Sequence, residues 1–211
     1  MFKLWGRNTS SNVQKVRWLC AELGVHYDQT EVGGSFGRTK EPFYLAMNPN
    51  SLVPTIDDAG FTLYESNSIM RYLASKYSAH DLYPVGLRER ADCERWLDWN
   101  LSALGPAITP VFWGLIRTPV EQRDHAVILA AARKTFDTLS IVEERLSRHA
   151  YLCGTQLTLA DIPTGIQTHR WFNVPLNEVG YQRPALPNVS SWYGRLTQRK
   201  PFQETVMIPL V

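Results

Sequence analysis

The hydrophobic periodicity of this chain changes once, near residue 81, and that change constrains the fold more than any other feature. Before it, short alternating runs are interleaved with helical stripes. Residues 2–5 alternate as a strand, and Val13, Val16, Leu19, Cys20 and Leu23 then recur at helical spacing until Gly24 closes the stripe. Strands are expected at residues 26–32, 55–58 and 62–64, a short helical or irregular piece at 42–46, and a helix at 68–77. Gly33, Gly34 and Gly37 mark a loop, and Asp57-Asp58-Ala59-Gly60 reads as the hairpin turn joining the last two strands. The order β-α-β-loop-β-β-α predicts a small α/β unit with a mixed sheet.

Beyond residues 82–87, which contain Pro84 and Gly86 and read as a linker, every run has helical spacing. One helix is expected over 91–104, continuing past Pro106 to Ile116 with kinks at Pro106 and Pro110, because each proline deletes a backbone hydrogen bond. A second is expected over 120–148, with Arg148 and His149 placing cations at its C-terminus. Leu157-Thr158-Leu159-Ala160-Asp161-Ile162 predicts a helix start, with Thr158 as N-cap, Asp161 three residues on, and Leu157 stapled to Ile162. The fold class is therefore α/β plus all-α, with an α/β unit over residues 1–80, a linker over 81–87 and an all-helical unit over 88–211.

Composition removes several functional classes. Twenty-two Lys and Arg against 20 Asp and Glu leave a net charge of +2, and no basic cluster is larger than that around Arg88 and Arg90. Binding to nucleic acid or to a membrane surface needs a basic stripe, so neither is expected. Cys20, Cys93 and Cys153 are widely spaced with no C-x-x-C, which predicts neither a disulfide framework nor a metal site. No apolar run reaches the roughly 18 residues of a membrane span and no leader is recognisable at the N-terminus, so the expected compartment is the cytoplasm.

Three polar segments are candidates for chemistry. Arg7-Asn8-Thr9-Ser10-Ser11-Asn12 lies between the first strand and the first helix, and holds more short polar side chains than one N-cap requires. A helix N-terminus favours an adjacent anion, and hydroxyls there can donate to a thiolate or a carboxylate. In Asn48-Pro49-Asn50-Ser51-Leu52-Val53-Pro54-Thr55, a proline at a strand entrance leaves the Val53 backbone free to pair with an extended peptide; the base rate alone favours a trans Val53-Pro54 bond. Glu65-Ser66 lies where a strand gives way to a helix, with a carboxylate for an ammonium group beside an anion-binding helix end, a pairing suited to an amino-acid zwitterion.

Taken in order, these segments resemble the cytosolic glutathione transferase family. Tyr151-Leu152-Cys153-Gly154 with Leu157 to Ile162 resembles that family's L-G-x-x-x-T-x-A-D element, and Pro187-Asn188-Val189, Trp192-Tyr193 and Arg199-Lys200-Pro201 resemble its penultimate helix. The resemblance covers essentially the whole chain. It implies a thioredoxin-like N-terminal domain that binds glutathione as co-substrate, an all-helical domain that shapes a pocket for a hydrophobic electrophile, and a homodimer. It also implies that Val53 pairs its backbone with the cysteinyl part of glutathione, that Pro54 is a cis-proline, and that Glu65 and Ser66 hold the γ-glutamyl ammonium and carboxylate.

Relative to Val16, the family's serine-type pattern selects Ser10 as the thiol-activating hydroxyl and places Asn12 near the sulfur; Thr9 and Ser11 stay open as alternatives. No Tyr or Cys occurs in residues 5–12, which argues against the classes built on either. Leu52 cannot grip the glycine carboxylate, leaving Lys40 or Arg38 for that task. The electrophile pocket is expected between the helix containing Val111 to Arg117 and the one containing His169-Arg170-Trp171-Phe172, centred on Trp113, with Gly114 leaving room, together with Arg7 and with Arg117, which suits an acidic group. Cys20 is expected to be packed. Conjugation is the leading activity, with glutathione-dependent reduction of disulfides or peroxides, isomerisation, and a non-catalytic binding or stress-response module as alternatives.

Overall fold

The computed structural model describes residues 1–211. Strands β1 (Phe2–Trp5), β2 (Tyr27–Thr30), β3 (Thr55–Asp58) and β4 (Phe61–Tyr64) form one sheet in the order β2-β1-β3-β4. The β1 and β2 strands run parallel, joined by the crossover helix α1 (Ser11–Leu23), and the other pairs are antiparallel. Ala59 and Gly60, at φ 54° and 92°, make the two-residue hairpin turn, and the Gly60 amide donates to Asp57 Oδ1 at 2.7 Å. Positive φ at both central residues matches the right-handed twist of the flanking strands. Helix α2 (Pro42–Met47) precedes β3, and α3 (Ser66–Lys76) follows β4 directly.

The second half holds α4 (Leu87–Trp99), α5 (Gly105–Phe112), α6 (His125–Leu146), α7 (Asp161–Asn173), α8 (Pro187–Thr197) and α9 (Lys200–Thr205). The prolines act through widened turns. Asn100–Leu104 is a π-helical turn in which the Gly105 amide bonds Asn100 O, five residues back, immediately before Pro106. A second π-helical turn covers Trp113–Arg117. Such insertions let a helix absorb a local defect and still continue.

Helices α6 and α7 differ from expectation at their ends. Helix α6 begins at His125, where Asp124 accepts from the Val127 amide at 3.0 Å, and ends at Leu146, so Arg148 and His149 lie beyond it. Helix α7 begins at Asp161, not at Thr158. Only half of the expected capping box forms: one Asp161 oxygen accepts from the Thr158 amide at 2.9 Å and its hydroxyl at 3.1 Å. The other accepts from the Leu152 amide and from Trp192 Nε1, each at 3.0 Å, so the carboxylate ties α7 to α8 and to the preceding turn. Burial pushes the Asp161 carboxyl up to about 6, against the pull of these four bonds.

Both halves share one apolar core. Trp18 of α1 meets Phe202 of α9 edge-on with ring centroids 4.8 Å apart. A Cβ on Gly165 of α7 would stand 3.1 Å from the Trp18 ring, so glycine is what lets α1 and α7 approach closely. Arg199 adds a two-pronged pair to Glu22 at 2.8 and 2.6 Å. The relative placement of α1 and α7, on which the site depends, is therefore set by packing.

Candidate functional site

Sheet register brings the three polar segments together. Trp5 pairs with Thr55, and Thr55 with Tyr64, so the end of β1, the start of β3 and the end of β4 lie side by side. The loop 6–10, Val53-Pro54 and Glu65-Ser66 consequently emerge at one end of the sheet, where α1 and α3 also begin.

Ser10 is the N-cap of α1, with φ −78° and ψ 123°, and its carbonyl accepts from the Gln14 amide at 2.8 Å. Its hydroxyl makes no capping hydrogen bond although the residue is buried. An N-cap hydroxyl ordinarily accepts from one of the first free amides; this one is left for another partner. Asn12 is exposed, and its Oδ1 accepts from Ser66 Oγ at 3.3 Å, which joins the N-termini of α1 and α3.

The Val53-Pro54 bond is cis, opposite to the base-rate expectation and in line with the family resemblance. Neither the Val53 amide nor its carbonyl is hydrogen-bonded within the protein, while the neighbouring Leu52 carbonyl is held by Tyr44 and Asn48. Glu65 has φ 69° and ψ 111°, outside the comfortable range of a residue with a Cβ. Strained backbone of this kind persists where the surroundings impose it, commonly at ligand clamps. Its side chain is exposed, whereas Ser66 is buried.

Lys15 was missed from sequence. It is 1% exposed, and its Nζ donates to Ser66 Oγ and Asn67 Oδ1, each at 3.3 Å. Asn67 in turn donates to Leu97 O of α4 at 3.0 Å, so this network runs from the N-terminus of α3 into the helical half. Burial pulls the Lys15 ammonium down to about 7; the Glu65 charge opposes that and Arg170 adds to it. The available signal was position: Lys15 stands three and four residues before Trp18 and Leu19, on the buried face of α1.

The remaining candidates divide. Arg7 runs over the loop after β2, where a Cβ on Gly34 would come within 2.9 Å of Arg7 Cδ. Arg117 stacks on Phe112 and Trp113 at 5.2 and 5.0 Å and donates to Val211 O. Trp113 itself is 54% exposed. The room expected beside it does not exist: Gly114 faces α6, where a Cβ would meet Ile128 Cγ1 at 2.5 Å, so that glycine serves helix packing. Lys40 is exposed, and Arg38 is paired with Glu41 at 3.5 Å and stacked on Phe43. Cys20 is packed as expected, its thiol pushed up to about 12 by burial.

A cleft of about 370 Å³ opens between the start of α1 and the helices α5 and α7, lined by Ser11, Asn12, Lys15, Asn100, Gln167 and Arg170 among others. Its walls mix these polar side chains with Leu101, Pro106 and Pro110 and hold no aromatic ring, unlike the pocket expected from sequence, because Phe112 and Trp171 turn into the core. A larger groove of about 480 Å³ between α4 and α6, around Trp96 and Trp99, contains none of these residues.

Residues 1–75 match the family model described as glutathione S-transferase, N-terminal domain, and residues 102–200 match the corresponding C-terminal domain. Glutathione S-transferase GstB of Escherichia coli strain K12 is 36% identical over the full length of both chains. The chain belongs to the glutathione S-transferase family. Glutathione S-transferase 3 of Zea mays is 32% identical, covering 99% of this transferase and 95% of its own length. The crystal structure of the theta class glutathione S-transferase from Xanthomonas axonopodis pv. citri with glutathione bound superposes with a TM-score of 0.93 at 42% identity, over 100% of this chain and 99% of that one. Glutathione is thus the thiol substrate of this transferase, and no group of His, Cys, Asp or Glu side chains in it could hold a metal ion. No helix is long and apolar enough to cross a membrane.

Proposed function

We propose that this transferase ionises glutathione at Ser10 and directs the thiolate at a small electrophile held by the helical half. The observation that carries the reading is the N-cap of α1: a buried hydroxyl beside free helix amides, making no capping bond of its own. A free thiol has a pKa of about 8.5 and is mostly protonated at neutral pH. One hydrogen bond to a charged acceptor is worth about 1.5–3 kcal/mol, which is about one to two pKa units, before the helix dipole adds its share. With Asn12 beside the sulfur, ionisation then follows binding and no separate base is required.

The remaining roles follow the register of the sheet. Unbonded Val53 pairs its main chain with the cysteinyl residue, and Pro54 holds Val53 at the entrance to β3. Glu65 takes the γ-glutamyl ammonium, and Ser66 the carboxylate, with Lys15 behind it as the counter-charge. Lys40 is assigned the glycine carboxylate, since Arg38 is occupied by Glu41 and Phe43. Arg7, Trp113 and Arg117 border the electrophile. Residues 1–80 and 88–211 are read as the glutathione-binding and electrophile-binding units, joined by 81–87, and the working form as a homodimer.

Steady-state conjugation of glutathione to 1-chloro-2,4-dinitrobenzene, followed against pH, tests the assignment. Ser10→Ala should lower kcat/KM below pH 7 by about 10- to 100-fold, the range that corresponds to one charge-assisted hydrogen bond, and should move the pH profile upward. Thr9→Ala and Ser11→Ala should leave the profile in place. An unmoved profile in Ser10→Ala, with loss in Thr9→Ala, Ser11→Ala or Asn12→Ala, would transfer the role to that residue.

A further inference from the structure

The charge of the cleft is unbalanced. Arg170 is 8% exposed, its side chain makes no hydrogen bond, and its one recorded side-chain contact is the face of Phe112, 4.0 Å from the guanidinium. Arg117 stacks on that same ring at 5.2 Å, and Arg7 stands near enough to act on both. The charges that bear on Arg170 are Arg117 and Arg7; burial and these two neighbours draw it down to about 10. Lys15 lines the same cleft and feels Arg170 as a like charge, with Glu65 acting the other way. Asn100 Nδ2 and Gln167 Oε1, both buried in side chains that line the cleft, have no hydrogen-bond partner.

A buried guanidinium without a carboxylate is costly, since the stacking energy of one aromatic ring recovers only part of its lost hydration. Other partly buried arginines in this chain have hydrogen-bond partners: Arg199 pairs with Glu22, Arg145 with Asp92 and Arg123 with Glu178, while Arg183 donates to the Trp171 and Val174 carbonyls. Arg170 lines a cleft beside the α1 N-terminus and has no such pair. A fork of guanidinium donors suits a planar oxyanion, which it binds through two parallel hydrogen bonds.

We propose that the electrophile taken by this transferase is a small organic anion, its carboxylate or equivalent oxyanion seated on Arg170 in the field of Arg117 and Arg7. The inference rests on the thiolate reading above and names its second substrate. In the reaction the glutathione sulfur forms a bond to the electrophilic carbon, the bond from that carbon to its leaving group breaks, and the leaving group departs with the electron pair. The thiol proton has already gone to solvent, so no further reactant is needed. Arg170 binds the end of the molecule remote from the reacting carbon, which makes it a specificity residue.

The test uses two aryl chlorides matched in shape, 4-chloro-3,5-dinitrobenzoate and 4-chloro-3,5-dinitrobenzamide, each rate divided by its uncatalysed rate with glutathione. The full-length enzyme should enhance the benzoate reaction about 10- to 100-fold more than the amide, mainly through KM, as one charge-assisted pair would. Arg170→Met should bring that ratio close to one, and Arg170→Lys should keep part of it. Because no hydrogen bond or carboxylate inside the protein holds Arg170, and Met keeps an apolar contact with the Phe112 ring, Arg170→Met should melt no lower than wild type; a role in the fold would lower its Tm. The bound-glutathione thiolate band, recorded on the same samples, separates two failures. Equal enhancement of both chlorides with the band present overturns the anion assignment alone, as does a preference that survives Arg170→Met; absence of the band overturns the reading beneath it.

Discussion

Replacing Lys15 by Met removes a buried charge and keeps an unbranched side chain one atom shorter, and its consequence is written in pH. The ammonium falls from 10.5 to about 7 on folding, mainly by desolvation. A lysine whose folded pKa is depressed makes the unfolded state the stronger proton binder between those values, so stability rises as pH rises through that window. At 1.36 kcal/mol per unit, the group penalises the fold by about 4 kcal/mol at pH 7 and by about 2 kcal/mol at pH 9. Lys15→Met loses that dependence, while stranding Asn67 Oδ1 at a pH-independent cost of about 1–3 kcal/mol. Urea unfolding followed by tryptophan fluorescence at pH 7, 8 and 9 reads the difference directly. Wild type should gain about 2 kcal/mol on the variant between pH 7 and 9. S-methylglutathione, whose sulfur cannot ionise, should bind wild type with proton uptake at pH 8, as its γ-glutamyl carboxylate restores the Lys15 charge; Lys15→Met should show less uptake. A stability difference that stays flat with pH would refute the account of Lys15 as a buried ammonium held only by neutral acceptors.

Asp161→Asn replaces an oxygen that accepts two hydrogen bonds with a donating amide nitrogen and should cost about 2–4 kcal/mol, lowering Tm by roughly 5–15 °C in thermal unfolding. Glu143 accepts from the Asn188 amide and side chain and from the Val189 amide, at 3.0, 2.7 and 2.8 Å, so Glu143→Ala should cost about 1–3 kcal/mol by removing the anchor of the α8 N-terminus. Gly34→Ala combines φ +60° with a Cβ 2.9 Å from Arg7 Cδ; it should cost about 1 kcal/mol in chemical denaturation and reduce the benzoate-to-amide ratio by displacing Arg7.

Local pattern carried the first half of the fold. Two-residue alternation located β1 and β3, the stripe from Val13 to Leu23 located α1, and Ala59-Gly60 announced its own turn, because each signal lies within a few residues of its element. Pairing over longer range was less legible. Thr158 and Asp161 do meet, yet the carboxylate also serves Leu152 and Trp192, and with that shared duty the N-cap of α7 falls on Ala160, two residues later than expected. The same limit applies at the site. Hydroxyls at a helix end, the Val53 backbone and Glu65-Ser66 were recognisable from residue type and order. Lys15 was not, and Arg170 was only placed within a pocket-lining segment, since a charged side chain reads as solvated until packing shows that α1 and α7 bury it. Gly114 misled for the same reason: what its missing side chain makes room for depends on α6, which only the tertiary structure supplies.

The central claim is that Ser10 at the α1 N-terminus turns bound glutathione into a thiolate, and ultraviolet difference titration of glutathione against the protein measures that species itself. Across pH, the bound thiol in wild type should titrate about one to two units below the free value of about 8.5, and Ser10→Ala should return it most of the way. A bound thiol that titrates at the free value in wild type, or one whose shift is unchanged in Ser10→Ala, would contradict the account.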